Sequence, residues 1–379
     1  MKKINPMFTL AFVLSACTYA CSSGVPNGKI PLVPFPGCGV THLDNDWVCT
    51  WADEFDGENL NPDYWNVEID GQGGGNQEAQ YYRSENITVA NGHLTITAQR
   101  ENFMSRQYTS GRINSRYKVE TKFGRISFRA KLPGGRGTWG AIWMMPLFNR
   151  YGIWPRSGEI DMVEYVGYEP NVIHAATHTR KLNHTLNNNP YFSEELLNAE
   201  TAFHDFEMIW LPGEMKMFVN GFNYATFRYV PGIHQDVPHH HVFPFHEEFY
   251  FIINLAIGGS WGGVQGIDSA IFPTTLEVDY LRLYQLDVAR IDKEKPFAPN
   301  RLFNTQLKNT LHWDQGNDDI WVEKYNIFLD GQWHREVAIN QATLIGLVIN
   351  QTYEVQIQSI DFAGRTSELS EPIEFTFEA

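Results

Sequence analysis

The chain is short of positive charge, of long apolar runs and of helical periodicity. Its 29 lysines and arginines face 44 aspartates and glutamates, a formal net charge of −15. That balance argues against nucleic acid or an anionic membrane surface as a partner, because both are held through clustered positive charge. It also makes a strongly anionic polysaccharide an awkward substrate. The apolar stretch "FTLAFVL" near the N-terminus is too short to span a bilayer, and no other segment is long and apolar enough to cross one. Helical spacing is confined to "SEELLNA" (193–199). Cysteine is scarce too, with Cys17, Cys21, Cys38 and Cys49 the full set.

The N-terminus reads as an export signal. Lys2 and Lys3 precede the apolar stretch, and "LSAC" (Leu14 to Cys17) resembles the bacterial lipobox. That motif implies a signal peptide over 1–16, lipidation of Cys17 and an outer-membrane or cell-surface lipoprotein, with a soluble secreted protein as the alternative. Membrane contact is then expected only through the lipid. Export puts the chain in an oxidising compartment, where Cys38 and Cys49 are placed to pair while Cys21 has no evident partner. "SSGVPNGKIPLVPFPG" carries four prolines and three glycines, so residues 17–46 read as a tether.

Aromatic residues are abundant, with 25 Phe, 17 Tyr and 11 Trp, and 43% of the chain is apolar. "HLTITAQRE", "GRISFRAKL", "FEMIWL", "MKMFVNG" and "LEVDYLRLYQ" alternate with period two. Many such strands with hardly any helix predict an all-β fold, a sandwich or barrel, over residues 47–290. "DKEKPFAPN" (292–300) breaks the pattern, and a second β unit occupies 297–377. It has an inward Trp313, a hairpin turning at Asp330-Gly331, and Trp321 and Trp333, for which packing or sugar binding are both open. "INQTYEVQIQSIDFAGRTSELS" resembles the later strands of a fibronectin type III module, with Tyr353 at the tyrosine-corner position.

The chemistry centres on "GEIDMVEYVG" (158–167), where Glu159, Asp161 and Glu164 fall at i, i+2 and i+5. The flanking residues are apolar or aromatic, so this is not a solvated charge run. On a strand, side chains share a face only at even separations, and Glu164 breaks that rule. A helix, at roughly 100° per residue, would leave Glu159 alone on the far side. A one-residue bulge at Met162 and Val163 would restore the phase, and bulges recur beside active sites because they re-aim side chains. Paired carboxyl groups are what glycosidic hydrolysis needs, one as nucleophile and one as acid and then base.

"WPRSGEIDMVEYVG", "GRISFRAKLPGGRGTWGAIWMMP", "FYFIINLAIGGSWGG", "TLEVDYLRLYQ" and "GGGNQEAQYYRSENITVANGHLTITA" together resemble glycoside hydrolase family 16, most of all its laminarinase branch. The likeness covers residues 47–286. It implies a jelly-roll β-sandwich whose concave face is the sugar cleft, with a bulge in the acidic strand. It also implies retaining hydrolysis of internal β-1,3-glucan bonds, with Glu159 as nucleophile, Glu164 as acid/base and Asp161 assisting. Asn76 would contact sugar beside the nucleophile. Trp139, Trp154 and Trp261 are expected as platforms for the apolar faces of sugar rings, while Trp143 in "AIWMMP" is expected in the core. His178 is expected in the cleft near the acid/base, and Arg112 either binds hydroxyls or pairs with the acids. His234, His239, His240, His241 and His246 lack ligand spacing and read as an exposed loop. No cofactor is expected for catalysis, although Glu54 and Asp279 fall where the family often holds a structural Ca²⁺. A monomer acting on β-glucan is the expected state. Mixed-linkage glucan, agarose or carrageenan remain alternative substrates, and a non-catalytic glycan-binding protein is the alternative of another kind. "HAATHTRKLNHT" departs from the branch pattern and leaves the far subsites open.

Overall fold

The computed structural model describes residues 32–44, 46–230, 233–234 and 236–379. The expected signal peptide, Cys17, Cys21 and most of the tether lie outside the described residues.

Two antiparallel sheets face one another. One runs in the order His42–Leu43, Trp47–Asp53, Thr274–Leu286, Gly124–Lys131, His204–Leu211, Glu214–Val219, Phe222–Arg228. The other runs Tyr191–Glu195, Val172–His178, Glu159–Val166, Thr138–Pro146, Phe249–Ile257, Arg112–Asn114, Asn66–Val67. The fold is an all-β jelly-roll sandwich. Strict alternation builds it. Ile126, Phe128 and Ala130 point inward while Arg125, Ser127, Arg129 and Lys131 point out. On the neighbouring strand Phe206, Met208 and Trp210 do the same. Phe128 lies directly opposite Phe206, and their rings stack 5.2 Å apart. Each large side chain so buried contributes on the order of 1.5–3 kcal/mol.

"SEELLNA" forms no helix: its first three residues end a strand and Leu197 to Ala199 lie in a turn. Tyr191–Glu195 is a strand on the edge of the second sheet, with His174 opposite Ser193 and Val172 opposite Glu195. An edge strand exposed along most of its length carries little burial alternation, so its period-two signal was missing and the helix formers misled. The end of the expected tether is bound into this unit. Cys38 is disulfide-bonded to Cys49 with Cα atoms 6.3 Å apart, and the Phe35 amide donates to the Cys49 carbonyl at 2.9 Å.

The second unit pairs a three-stranded sheet (Phe303–Asn304, Thr310–His312, Gln341–Thr343) with a four-stranded one (Gln332–Val337, Val322–Leu329, Thr352–Asp361, Ile373–Thr376). Its own core surrounds the fully buried Trp313. The hairpin turns at Asp330-Gly331, both with positive φ (50° and 72°), the geometry of a two-residue type I′ turn. The unit is docked on the large one. Trp321 Nε1 donates to the Pro212 carbonyl at 3.0 Å, the His239 amide donates to Gln341 Oε1 at 2.7 Å, and the Tyr229 hydroxyl meets His312 Nε2 at 2.9 Å. The histidine-rich segment is an exposed loop only at His234: His246 is buried, His239 is held against the second unit, His240 stacks on Tyr151 and His241 meets Arg180. Trp333 stays 60% exposed.

Candidate active site

The acidic strand carries the bulge at the expected place. Toward Thr138–Pro146, Ile142 faces Val163 and the next residue, Trp143, faces Asp161. Toward Val172–His178, Asp161 faces Ala176 and Glu164 faces His174. Met162 is the extra residue toward Thr138–Pro146, and toward Val172–His178 Met162 and Val163 together span the place of Ala175. Met162 and Val163 consequently both enter the core, and Glu164 returns to the face of Glu159 and Asp161. The bulge is pinned from the opposite sheet, since the Tyr224 hydroxyl donates to the Met162 carbonyl at 2.6 Å. A buried carbonyl left without a donor costs about 1–3 kcal/mol, so this bond stabilises the displaced backbone.

The floor of the cleft is the neighbouring strand, where Trp139, Ala141 and Trp143 share the face of the acids and Gly140, Ile142 and Met144 face inward. Trp143 is thus a cleft residue and not a core one. The run "AIWMMP" is apolar on both faces, which hid the alternation. Ala141 stands opposite Glu164 on one side and Asn254 on the other, so small side chains leave room over the carboxylates.

Each glutamate is held by an indole. Trp154 Nε1 donates to Glu159 Oε2 at 2.6 Å, and Trp139 Nε1 donates to Glu164 Oε1 at 3.1 Å. Trp261 stands edge-on to Trp139 at 5.6 Å and to His174 at 5.0 Å. A Cβ on Gly262 would lie 2.8 Å from the Trp139 Cβ, so glycine there lets the Trp261 loop fold against Trp139. His178 takes a different place from the one expected. It faces Glu159 across the ladder, with Nε2 3.3 Å from Asp161 Oδ2 and 3.9 Å from Glu159 Oε1. Its Nδ1 accepts the His184 amide at 3.3 Å, which leaves the ring proton on Nε2, turned to the acids. His174 is the partner of Glu164 instead, because a four-residue spacing on Val172–His178 spans the bulge.

Burial pushes all three carboxyls upward, and the charge of Asp161 adds to it at both glutamates. Glu159 and Asp161 are each raised to about 8, and Glu164 well above the ordinary carboxylate value. The cluster therefore holds protons at neutral pH. The indole N–H at 2.6 Å favours the charged form of Glu159, as a nucleophile requires, while burial and the charge of Asp161 favour the protonated form of Glu164, as a general acid requires.

Asn76 lines the same cleft, its Nδ2 3.5 Å from Glu78 Oε1. Glu78 was missed. It is buried, accepts from Gln80 Nε2 at 2.6 Å and from the Tyr82 hydroxyl at 3.0 Å, and Asn254 links Tyr82 to Trp143 Nε1. The signal was available in "NQEAQYY", where Asn76, Glu78, Gln80 and Tyr82 stand at even spacing. Arg112 pairs with Glu68 at 3.0 Å and lies over the Trp143 ring at 5.1 Å, so it does not ion-pair with Glu159, Asp161 or Glu164.

Residues 74–280 match the model of the family described as glycosyl hydrolases family 16. The chain belongs to that family. Among its relatives is a beta-glucanase of Rhodothermus marinus, 41% identical over 260 residues that cover 66% of this chain and 91% of the relative. The X-ray structure of the laminarinase from Rhodothermus marinus superimposes with a TM-score of 0.61 at 43% identity, covering 63% of this chain and 98% of that one. The laminarinase from Flavobacterium sp. UMI-01 gives 0.57 at 37% identity, covering 62% and 100%. The protein is thus a glycoside hydrolase, and its three acids stand in the family 16 cleft.

Glu54 and Asp279 do not form a ligand set. Arg282 grips Glu54 through two bonds of 2.7 Å, and Arg129 Nη1 reaches Asp279 Oδ2 at 2.5 Å. Two arginines already supply the positive charge a cation would bring. Glu159, Asp161 and His178 do offer ligand atoms within 4.8 Å of one another. The Trp154 indole and the His178 ring already turn N–H groups toward those carboxylates.

Proposed function

We propose that the protein cleaves internal β-1,3 bonds of laminarin-type glucans with retention of anomeric configuration. The observation that carries this is the bulge at Met162, which sets Glu159 and Glu164 on one face with a different indole donor to each. In the first step Glu159 attacks the anomeric carbon while Glu164 passes its proton to the departing glycosidic oxygen. In the second, Glu164 takes a proton from water, which displaces Glu159 from the sugar. Asp161 and His178 tune the charge on Glu159. Trp139, Trp143, Trp154 and Trp261 present ring surface around the acids, suited to the C–H faces of glucose. The names carried by the relatives, beta-glucanase and laminarinase, favour glucan over galactan.

The test is a panel of laminarin, mixed-linkage β-glucan, agarose and carrageenan incubated with purified protein, with oligosaccharide products resolved by length and anomer. Laminarin should yield internal fragments of retained configuration. Sugar released from agarose or carrageenan and none from laminarin would overturn the substrate.

The same reading divides the chain into a signal peptide (1–16), a tether (17–46), the catalytic domain (47–290) and a fibronectin type III-like module (297–377). For the module, the sheets of three and four strands and the Tyr353 hydroxyl accepting the Val348 amide at 3.0 Å support it. Lipidation at Cys17 would anchor the enzyme at the cell surface. Cys17→Ser should then move it from the detergent phase to the soluble fraction; a wild-type chain already soluble and starting elsewhere would refute the anchor.

A further inference from the structure

Three aspartates from three segments meet where the large unit passes to the small one. Asp292 follows the short Val288–Ile291 helix, Asp318 lies in the loop before Val322–Leu329, and Asp361 ends Thr352–Asp361. One carboxylate oxygen from each lies within 4.8 Å of the other two. The Asp292 and Asp361 side chains are 0% exposed.

Each of these aspartates has one oxygen satisfied and one left over. Asp292 Oδ1 receives Arg365 Nη1, Asp361 Oδ1 receives the Arg365 amide at 2.8 Å, and Asp318 Oδ2 receives the Ile320 and Trp321 amides at 3.2 and 2.9 Å. The remaining oxygens, Asp292 Oδ2, Asp361 Oδ2 and Asp318 Oδ1, are buried without a hydrogen-bond partner. Asp319 adds a fourth acid beside them, its Oδ2 accepting the Lys293 amide at 3.3 Å. Arg365 brings one positive charge, and its Nη1 stands 3.8 Å from Asp361 Oδ2, beyond hydrogen-bond reach. Several carboxylates thus share one guanidinium, and buried carboxylate oxygens without a donor are not left so in a stable interior.

We propose that Asp292, Asp318 and Asp361 bind a calcium ion that clamps the small unit onto the catalytic unit. The donor set is all oxygen, which suits a hard cation and disfavours zinc. Two oxygens on one calcium, each at about 2.3–2.6 Å, stand at most about 5 Å apart, and the observed spacing fits inside that limit. Magnesium demands closer and more regular ligands than three side chains from separate segments provide. The ion would tie the segment leaving the large sheet, a loop and a strand end into one node, beside the Trp321 and His239 contacts that already join the units.

The test uses the full chain after chelation. Calorimetric titration with CaCl₂ should give one site per chain, and saturating Ca²⁺ should raise Tm by about 5 °C or more. Asp318→Asn and Asp361→Asn should each abolish both responses, whereas Glu54→Gln should keep them. The readout is the calcium dependence and not the basal Tm, because removing a charge from the cluster can itself stabilise the apo chain. Absence of Ca²⁺ binding by the chelated wild type, a response surviving both aspartate variants, or tighter binding of Mg²⁺ or Zn²⁺ than Ca²⁺ would overturn the assignment.

Discussion

Among the described residues, two trios of carboxyl groups, each mostly buried, are treated in opposite ways. In the cleft, Glu159 and Glu164 each receive an indole N–H, and small residues such as Ala141 and Ala256 line the space above them. At the junction, Asp292, Asp318 and Asp361 receive peptide amides and one arginine, and their remaining oxygens have no donor. Burial, then the charge of neighbouring acids, raises a carboxyl in both places, Glu159 to about 8 and Asp292 to about 6. The difference teaches that clustered acids acquire their role from their donors. Donors to the glutamates with open space beyond give a proton-holding pair that a sugar can reach, while convergent orphan oxygens ask for a cation.

The comparison breaks most sharply at the cleft glutamates. Glu159→Gly should abolish laminarin hydrolysis, and azide should then give a glycosyl azide of inverted configuration, read by NMR of the product. Glu164→Ala should cost about 10²–10⁴-fold on laminarin but spare substrates with good leaving groups, and azide should give the retained product. The opposite pattern would exchange the two roles.

Next is the donor itself. Trp154→Phe keeps a ring and removes the N–H on Glu159. Losing a donor to an anion disfavours the charged form, so the acidic limb of kcat/KM should move to higher pH. A loss of about 10–100-fold in kcat is expected from a charge-assisted bond. An unmoved pH profile would mean that the indole serves only as a surface.

Tyr224→Phe releases the Met162 carbonyl without touching the cleft. Stability should fall by about 1–3 kcal/mol, measured by denaturant unfolding, and kcat should fall up to about tenfold with KM little changed. A loss of stability alone would show that the bulge holds its phase without that bond.

The smallest effect is on the pH dependence of Tm. Asp161 has its folded-state pKa raised from 3.8 to about 8, so the folded chain binds the extra proton. Its contribution is present below about pH 4 and is lost as pH rises to about 8. Asp161→Asn should flatten that decline in a series of thermal scans. On the acid side, burial lowers His246 to about 3, so the folded chain binds fewer protons there and stability is lost as pH falls below about 6.5. That acid limb should persist in Asp161→Asn.

Much of the fold was legible in the chain. Period-two alternation, the Asp330-Gly331 turn and the odd spacing of Glu164 are local, because pleat and turn geometry act between near neighbours. Those rules gave a sandwich or barrel, the hairpin and the choice between an out-of-phase Glu164 and a bulge at Met162 and Val163, and the resemblance to family 16 favoured the sandwich and the bulge. The face of Trp143, the partner of His178, the arginines on Glu54 and Asp279, and the strand at Tyr191–Glu195 were decided by tertiary structure. Each depends on which strand lies alongside, and no spacing rule states that. Tyr224 reaches Met162 from the opposite sheet, 62 residues away, and Arg365 reaches Asp292 across 73. A side chain's donors come from wherever the fold brings backbone together, so the sequence determined which acids exist and the packing determined what they do.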